Sequence, residues 1–335
     1  MNFISSRVLA ALAVATACAV LSADEIPRTI ERKDPRFDRL VPKDAVIEML
    51  ADGYHWTEGP VWDVSQKAIL FSDIPANTVF RWKEGGQPEI FLKPSGYLGE
   101  KPFEGREPGS NGLTFDGKGR LVLCQHGERR VARLETGGRF TTLADHYQGK
   151  RFNSPNDLVF RSNGDLYFTD PPYGLPKTFD DPARELSWCG VYRLTPKGEV
   201  VLLTKDVKAP NGIAFSPDEK TLYVASSDPD KAVVMAYELA SDGSLKTTRV
   251  FVDMTGWKAK GPGGPDGIKV DKMGNVFTTG PGGVHVFASD GTLLGSFLTG
   301  VPTANLNWGD DGSTLYITAN TALCRVKLTT RGKGF

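Results

Sequence analysis

The chain has 335 residues, and its 40 lysines and arginines balance its 40 aspartates and glutamates. This length supports a large buried core, and the balanced charge gives no reason to expect nucleic acid or an anionic membrane as a partner. The 37 glycines and 22 prolines are scattered between apolar runs, as in proteins built from many short strands and turns.

The first 23 residues predict a signal peptide. Arg7 precedes the apolar run VLAALAVATACAVL, which is too short to cross a bilayer comfortably, and cleavage is expected after Ala23. We therefore expect an exported protein, periplasmic or secreted, without a membrane span. A lipoprotein acylated at Cys18 is the alternative, although Ala15 stands where a larger aliphatic residue is usual. The charged residues 24–40 predict a flexible lead-in.

Six segments of the remaining chain follow one plan. Each begins with a polar or acidic residue, continues as an apolar alternation, turns at Asp, Asn, Ser or Gly, and adds further strands. The starting residues are Glu58, Asn111, Asn156, Asn211, Asp266 and Asn305. Units of roughly 40–55 residues with about four strands each are typical of propeller blades.

The repeats predict an all-β fold: one six-bladed β-propeller domain over residues 41–335, in which each blade is a four-stranded antiparallel sheet. Residues 44–50, DAVIEML, are long enough for one strand. We expect them to complete the blade that begins near Asn305 and so to close the ring. A double-sheet sandwich explains six matching repeats poorly.

The register of the repeats predicts a ring of oxygen atoms. The innermost strand of each propeller blade runs along the central channel, so the six starting residues share one level around it. All six carry a side-chain oxygen, and Ca²⁺ takes about 6–8 such ligands. Histidine and cysteine are missing from the ring, which disfavours a dedicated zinc site. Turn capping explains any one of these residues, but six in register favour one bound divalent ion. We expect Ca²⁺, with Mg²⁺, Mn²⁺ or Zn²⁺ as alternatives.

Several motifs resemble one known family. EGPVW (58–62), RFNSPND (151–157), PNGIAFS (210–216) and PDGIKVD (265–271) occur in the order and spacing of the gluconolactonase/senescence-marker-protein-30 family of six-bladed propellers. SNGLTFD, RFNSPNDLVF and TDPPYGL are similar to its bacterial gluconolactonase-type members. The resemblance extends over essentially the whole chain from about residue 45.

The resemblance implies a set of metal ligands. Glu58, Asn211 and Asp266 match the metal ligands of the family. Asn156 matches an asparagine that faces the metal and the substrate, and that binds the ion directly in some relatives. Asn153 competes for this match, because RFNSPND is longer than the animal pattern RFND.

Substrate contacts are expected around the channel mouth. Arg151 corresponds to an arginine near the substrate in the family. The other residues that we place at the mouth are Asn111, His126, Asp170 and Tyr173, each of which also fits a local turn or strand-end role. Two long loops, 93–110 and 171–188, interrupt the repeats and are predicted to line the active-site face as a lid.

The function implied by the resemblance is metal-dependent hydrolysis of a small-molecule sugar lactone. The ion would act as a Lewis acid on the lactone carbonyl while water attacks, with Asp266 as the general base. Activation of water by the metal alone is the competing mechanism. A phosphotriesterase or arylesterase and a non-enzymatic binding propeller with a structural ion are the competing functions.

Overall fold

Six antiparallel sheets surround a central channel in the computed structural model, which describes residues 28–335. The all-β fold and the six blades of four strands are confirmed. The predicted signal peptide over residues 1–23 and the next four residues lie outside the described part of the chain. No helix within residues 28–335 has the length and apolarity needed to cross a membrane.

The first part of the chain supplies two separate strands and three blades. The separate strands are β1 (Thr29–Arg32) and β2 (Glu48–Ala51). Blade one contains β3 (Thr57–Asp63), β4 (Ala68–Asp73), β5 (Thr78–Trp82) and β6 (Glu89–Leu92). Blade two contains β7 (Ser110–Phe115), β8 (Leu121–Gln125), β9 (Arg130–Leu134) and β10 (Phe140–Ala144). After the hairpin β11 (His146–Tyr147) and β12 (Lys150–Arg151), blade three contains β13 (Leu158–Phe160), β14 (Leu166–Asp170), β15 (Gly190–Leu194) and β16 (Val200–Thr204).

The second part of the chain supplies the other three blades. Blade four contains β17 (Pro210–Phe215), β18 (Thr221–Ser226), β19 (Val233–Leu239) and β20 (Leu245–Asp253). Blade five contains β21 (Ile268–Val270), β22 (Val276–Gly280), β23 (Gly283–Phe287) and β24 (Leu293–Leu298). Blade six contains β25 (Thr303–Gly309), β26 (Thr314–Ala319) and β27 (Ala322–Lys327). Within residues 28–335, three 3₁₀ segments lie between strands, at Pro35–Arg39, Thr178–Asp180 and Thr255–Lys260.

The ring closes as expected, between the two ends of the chain. Strand β2 pairs antiparallel with β27 and supplies the fourth strand of blade six. Strand β1 pairs with β24 and adds a fifth strand to blade five. This pairing corrects the predicted flexible lead-in for residues 28–40. The charge of this segment masks its apolar anchors: Phe37 is fully buried against the ring of Phe297, and Leu40 is 2% exposed.

The sheets pack face to face, which explains the composition of their central strands. Strands β4, β14 and β26 read AILFSD, LYFTD and TLYITA, and every residue in them is buried. Aromatic and β-branched side chains suit this position because they fill both faces of a pleated strand. The hydrophobic core therefore lies between neighbouring blades, and the channel at the centre is left to polar residues.

The inner strands approach one another so closely that glycine follows four of the six ring residues. The dipeptides are Glu58-Gly59, Asn111-Gly112, Asn211-Gly212 and Asp266-Gly267. A Cβ atom on Gly212 would lie 2.1 Å from the Asp266 carbonyl oxygen, and one on Gly59 would lie 2.2 Å from the Asn111 carbonyl oxygen. In blade three the equivalent residue after Asn156 is Asp157, whose carboxylate therefore enters the channel region.

This close approach predicts that alanine at position 212 is destabilising. The added methyl group meets backbone that hydrogen-bonds Gly212 N to the Asp266 carbonyl at 3.0 Å and has no room to move aside. Gly212→Ala should lower the free energy of unfolding by about 1–3 kcal/mol. Gly117→Ala is the control, since a Cβ there meets nothing within 4 Å. Urea denaturation of both variants checks this, and equal midpoints for the two would refute the packing argument.

Candidate functional site

Four side-chain oxygens at the channel ring are buried and have no hydrogen-bond partner. They are Asn111 Oδ1, Asn156 Oδ1, Asn211 Oδ1 and Asp266 Oδ1. Leaving one buried acceptor unpaired costs about 1–3 kcal/mol. Four unpaired oxygens at one level of the ring therefore indicate a site that is completed by something other than the protein.

Glu58 adds a carboxylate to this ring. It is 2% exposed, and both of its hydrogen bonds fall on Oε2, from Gly59 N at 2.8 Å and from Asn305 Nδ2 at 3.0 Å. Burial, followed by the negative charge of Asp157, raises the pKa of Glu58 to about 8. The two hydrogen bonds oppose this rise without cancelling it. The ring thus holds an acid that is costly to ionise until a positive charge arrives.

Asp266 behaves in the same way. Burial, and then the charges of Glu58 and Asp157, raises its pKa well above the ordinary range. Part of the side chain remains exposed at a neighbouring cavity, whereas Oδ1 is buried and unpaired. Three carboxyl groups therefore lie close together, and their mutual repulsion favours a bound cation.

Asn211 is held in one orientation by a serine that the sequence analysis missed. Asn211 Nδ2 donates to Ser227 Oγ at 3.0 Å, and Ser227 Oγ donates to the Pro265 carbonyl at 2.7 Å. Because the amide nitrogen is used in this way, Oδ1 is the atom left without a partner. Ser227 directly follows β18 by one residue, a position that carries no distinctive sequence signal.

Asn305 shares the ring position but uses its oxygen locally. Its Oδ1 accepts a hydrogen bond from Leu306 N at 2.9 Å, while Nδ2 donates to Glu58 and, at 3.4 Å, to Asp157 Oδ2. Asn305 is thus a donor that lies between two carboxylates. Its place in the repeat did not reveal this difference from the other ring asparagines.

The loop before β13 separates the two competing asparagines. Asn153 Nδ2 donates to the carbonyls of Asp170 and Trp188, and its Oδ1 accepts from Arg184 Nε at 3.3 Å. Asn153 is therefore saturated, whereas Asn156 keeps an unpaired oxygen. This contrast favours Asn156 as the residue that faces a ligand.

Asp170 lies beneath that loop and away from any open surface. It is fully buried, and its two carboxylate oxygens accept hydrogen bonds from the backbone N–H groups of Asn153 and Ser154, each at 2.9 Å. It was expected at the channel mouth in contact with substrate. In the structure, Asp170 instead holds the loop that carries Asn156.

Tyr173, which was expected at the channel mouth, lies near Asp266 of the ring. Its phenol is close to Asp266 and Ser227, and burial followed by the charge of Asp266 raises its pKa. A cavity of about 190 Å³ opens next to these residues, lined among others by Ser227, Met254, Lys258 and Asp266. The 3₁₀ segment Thr255–Lys260 brings Lys258 to this cavity, a feature that the sequence analysis missed although the run KGPGGP (260–265) marks a loop.

His126 and Arg151 occupy less direct positions. The His126 ring is fully buried, packed against Gly174, and its Nδ1 lies 2.9 Å from Glu107 Oε2 without the alignment of a hydrogen bond. The Arg151 guanidinium donates to the Glu128 carbonyl, and its backbone N–H donates to Glu185. The structure therefore ties Arg151 to the 171–188 loop and does not bring it into contact with the ring.

The donor set fits a hard divalent cation. Within residues 28–335, no group of three or more His, Cys, Asp or Glu side chains is placed to hold a metal ion. The ring instead combines the carboxylates of Glu58 and Asp266 with the unpaired amide oxygens of Asn156 and Asn211. Carboxylate and amide oxygens are the ligands that Ca²⁺ prefers. The amide oxygens carry no net charge, so they add ligands without increasing the repulsion between the neighbouring acids.

The sequence and fold of this chain are similar to those of several known proteins. The model of the SMP-30/gluconolactonase/LRE-like region matches residues 56–321. A gluconolactonase of Zymomonas mobilis subsp. mobilis is 40% identical over 310 residues, which cover 90% of this chain and 87% of that protein. A solved gluconolactonase from Xanthomonas campestris has a TM-score of 0.77 at 32% identity, covering 90% of this chain and 97% of its own. A calcium-binding regucalcin from Agrobacterium tumefaciens has a TM-score of 0.66 at 20% identity, covering 87% and 96%, and shares the fold.

The position of Asp170 predicts a pH effect on stability. Burial raises its pKa to about 7 from the ordinary 3.8, so the folded state keeps a proton that the unfolded state releases between these values. Its stabilising effect is complete below pH 3.8 and is lost as the pH rises towards 7. The decline in unfolding free energy over this range should be smaller in Asp170→Asn than in the wild type.

Denaturation of both proteins at several pH values measures these two slopes. The exposed Asp44→Asn variant serves as the matched control and should keep the wild-type slope. An unchanged slope in Asp170→Asn would show that Asp170 titrates as an ordinary carboxyl group.

Proposed function

The chain belongs to the SMP-30/gluconolactonase/LRE-like family and is a lactonase, and we propose that it opens sugar lactones by hydrolysis with a divalent ion held in the channel ring. The observation that carries this proposal is the set of buried ring oxygens without partners. The related gluconolactonases support the lactone as the substrate class.

The residues that would hold the ion are Glu58, Asn156, Asn211 and Asp266. We propose Ca²⁺, because all four supply oxygen and because the regucalcin that shares the fold is a calcium-binding protein. When bound, such an ion polarises the lactone carbonyl and stabilises the negative charge that develops on its oxygen.

Asp266 is the group that we propose as the general base. It lies at the wall of the cavity, and its burial together with the neighbouring acids raises its affinity for a proton. A carboxylate in this position accepts the proton of the water that attacks the lactone carbonyl. Tyr173, whose phenol lies near this carboxyl group, would help to orient the ring of the substrate.

The cavity beside Asp266 is the place that we propose for the lactone. Its walls combine apolar surface from Met254 and Pro281 with the polar groups of Ser227 and Lys258. Apolar walls accept the face of a sugar ring, and a few placed polar groups select its hydroxyl groups. Asn111, with its unpaired Oδ1, would supply a further contact from the ring itself.

Metal removal gives the first test. The purified protein should release acid from glucono-, galactono- or xylonolactone, lose this activity in EDTA and regain it on addition of CaCl₂. Acid release followed with a pH indicator measures the rate. Hydrolysis of these lactones at an equal enzymatic rate before and after complete metal removal would refute the metal-dependent part of the proposal.

The role of Asp266 gives the second test. Asp266→Asn keeps the shape of the side chain but removes its basicity, so kcat should fall by about 10²-fold or more. Asp44→Asn, on the exposed surface, should keep wild-type rates. Assays of the wild type on a phosphotriester, an aryl ester and the lactones separate the competing hydrolase functions. Faster turnover of either ester than of every lactone would replace the proposed substrate class.

A further inference from the structure

A second group of charged side chains lies next to the ring, built around Asp157. This residue stands where four other blades have glycine, and it is 2% exposed. Its Oδ1 accepts a hydrogen bond from Leu158 N at 2.8 Å, and its Oδ2 lies 3.8 Å from Lys269 Nζ and 3.4 Å from Asn305 Nδ2. Both oxygens of Asp157 are already engaged, whereas Asn156, Asn211 and Asp266 each keep an oxygen without a partner.

Asn305 connects this group to the ring. One amide nitrogen of Asn305 reaches Glu58 Oε2 and Asp157 Oδ2, so a single neutral donor bridges two acids. Gly267 packs directly against the Asn305 side chain, since a Cβ on Gly267 would lie 2.2 Å from Asn305 Oδ1. The amide cannot swing away, and the charge on Asp157 is therefore kept close to Glu58.

Lys269 supplies the positive charge in contact with this group. It lies on β21, three residues after Asp266, and its ammonium group also donates to the Ile268 carbonyl at 3.0 Å. Its side chain is 19% exposed, so water screens the pair with Asp157 only in part. When a bound cation has ionised the ring acids, the carboxylates of Glu58, Asp157 and Asp266 bring three negative charges and Lys269 brings one positive charge.

We propose that the Asp157–Lys269 pair is a built-in counter-charge that sets the net charge of the channel, so that the ring accepts one divalent cation. With Lys269 in place, two negative charges remain, and one divalent ion neutralises them. The pair itself does not ligate the ion, because its oxygens are engaged elsewhere. This inference rests on the metal site of the proposed function and assigns two positioning residues to it.

The test is a double-mutant cycle on the dissociation constant for Ca²⁺, measured by isothermal titration of the metal-free protein. Lys269→Met leaves three negative charges and should tighten binding by about three- to tenfold. Asp157→Asn leaves one negative charge and should weaken binding by about the same factor. The double variant restores two negative charges and should bind Ca²⁺ with nearly wild-type affinity. The wild type should bind one ion per chain.

The controls separate charge from packing. Lys269→Arg keeps the positive charge and should keep wild-type affinity. Lys220→Met is the matched control on the surface, because Lys220 Nζ also lies 3.8 Å from an aspartate oxygen, in Asp218, but its side chain is 80% exposed. It should leave the affinity unchanged. If Lys269→Met is too unstable to titrate, Lys269→Gln takes its place in the cycle.

Three results would overturn the inference. If both single variants weaken binding, the pair acts through packing. If neither changes the affinity of a wild type that binds Ca²⁺, the pair is electrically remote from the ring, and the proposed lactonase site stands without it. A wild type that binds no divalent ion overturns this inference together with the metal site of the proposed function.

Discussion

The contact between the inner strands of neighbouring blades is the constraint on which the rest of the structure depends. At Gly212 the backbone of blade four approaches the Asp266 carbonyl so closely that no side chain fits between them. The same approach brings Gly59 against Asn111 in blades one and two. Since each glycine directly follows a ring residue, the packing that closes the propeller also carries the polar side chains into one narrow channel.

This convergence sorts the polar groups of the channel into two kinds. Asn305 and Asp157 direct their oxygens to backbone N–H groups or to a neighbouring side chain, and they serve as internal donors and counter-charges. Asn156, Asn211 and Asp266 keep an oxygen that nothing in the described chain satisfies. Buried oxygens without a partner are energetically costly, and proteins keep them where a bound ligand supplies the missing contact. Here the adjacent acids favour a cation as that ligand.

The repeat pattern predicted the fold and the ring, because a propeller maps sequence register directly onto position around an axis. Closure by residues 44–50 followed from the same reasoning and is confirmed by the pairing of β2 with β27. Register does not encode what each side chain contacts across the channel. Asn305 and Asn156 are identical in the repeat, yet Leu306 N takes the oxygen of one and leaves the other unpaired.

The residues that sequence reasoning missed are partners brought in from other blades and loops. Ser227 orients Asn211 from the end of β18, and Lys258 reaches the cavity from a 3₁₀ segment that interrupts the repeats. Asp170 was expected at the channel mouth, but the backbone N–H groups of Asn153 and Ser154 donate to its two carboxylate oxygens and hold it under the loop. Phe37 likewise anchors residues 28–40, a segment whose charged side chains had predicted a flexible lead-in.

The central claim is that the unpaired ring oxygens form one cation site. Anomalous scattering from crystals soaked in Mn²⁺ tests it most directly, because it locates the ion independently of activity. We predict one strong peak in the channel, at ligand distance from the side-chain oxygens of Glu58, Asn156, Asn211 and Asp266. No peak in the channel at a saturating Mn²⁺ concentration, or a peak at ligand distance from other residues only, would contradict this claim.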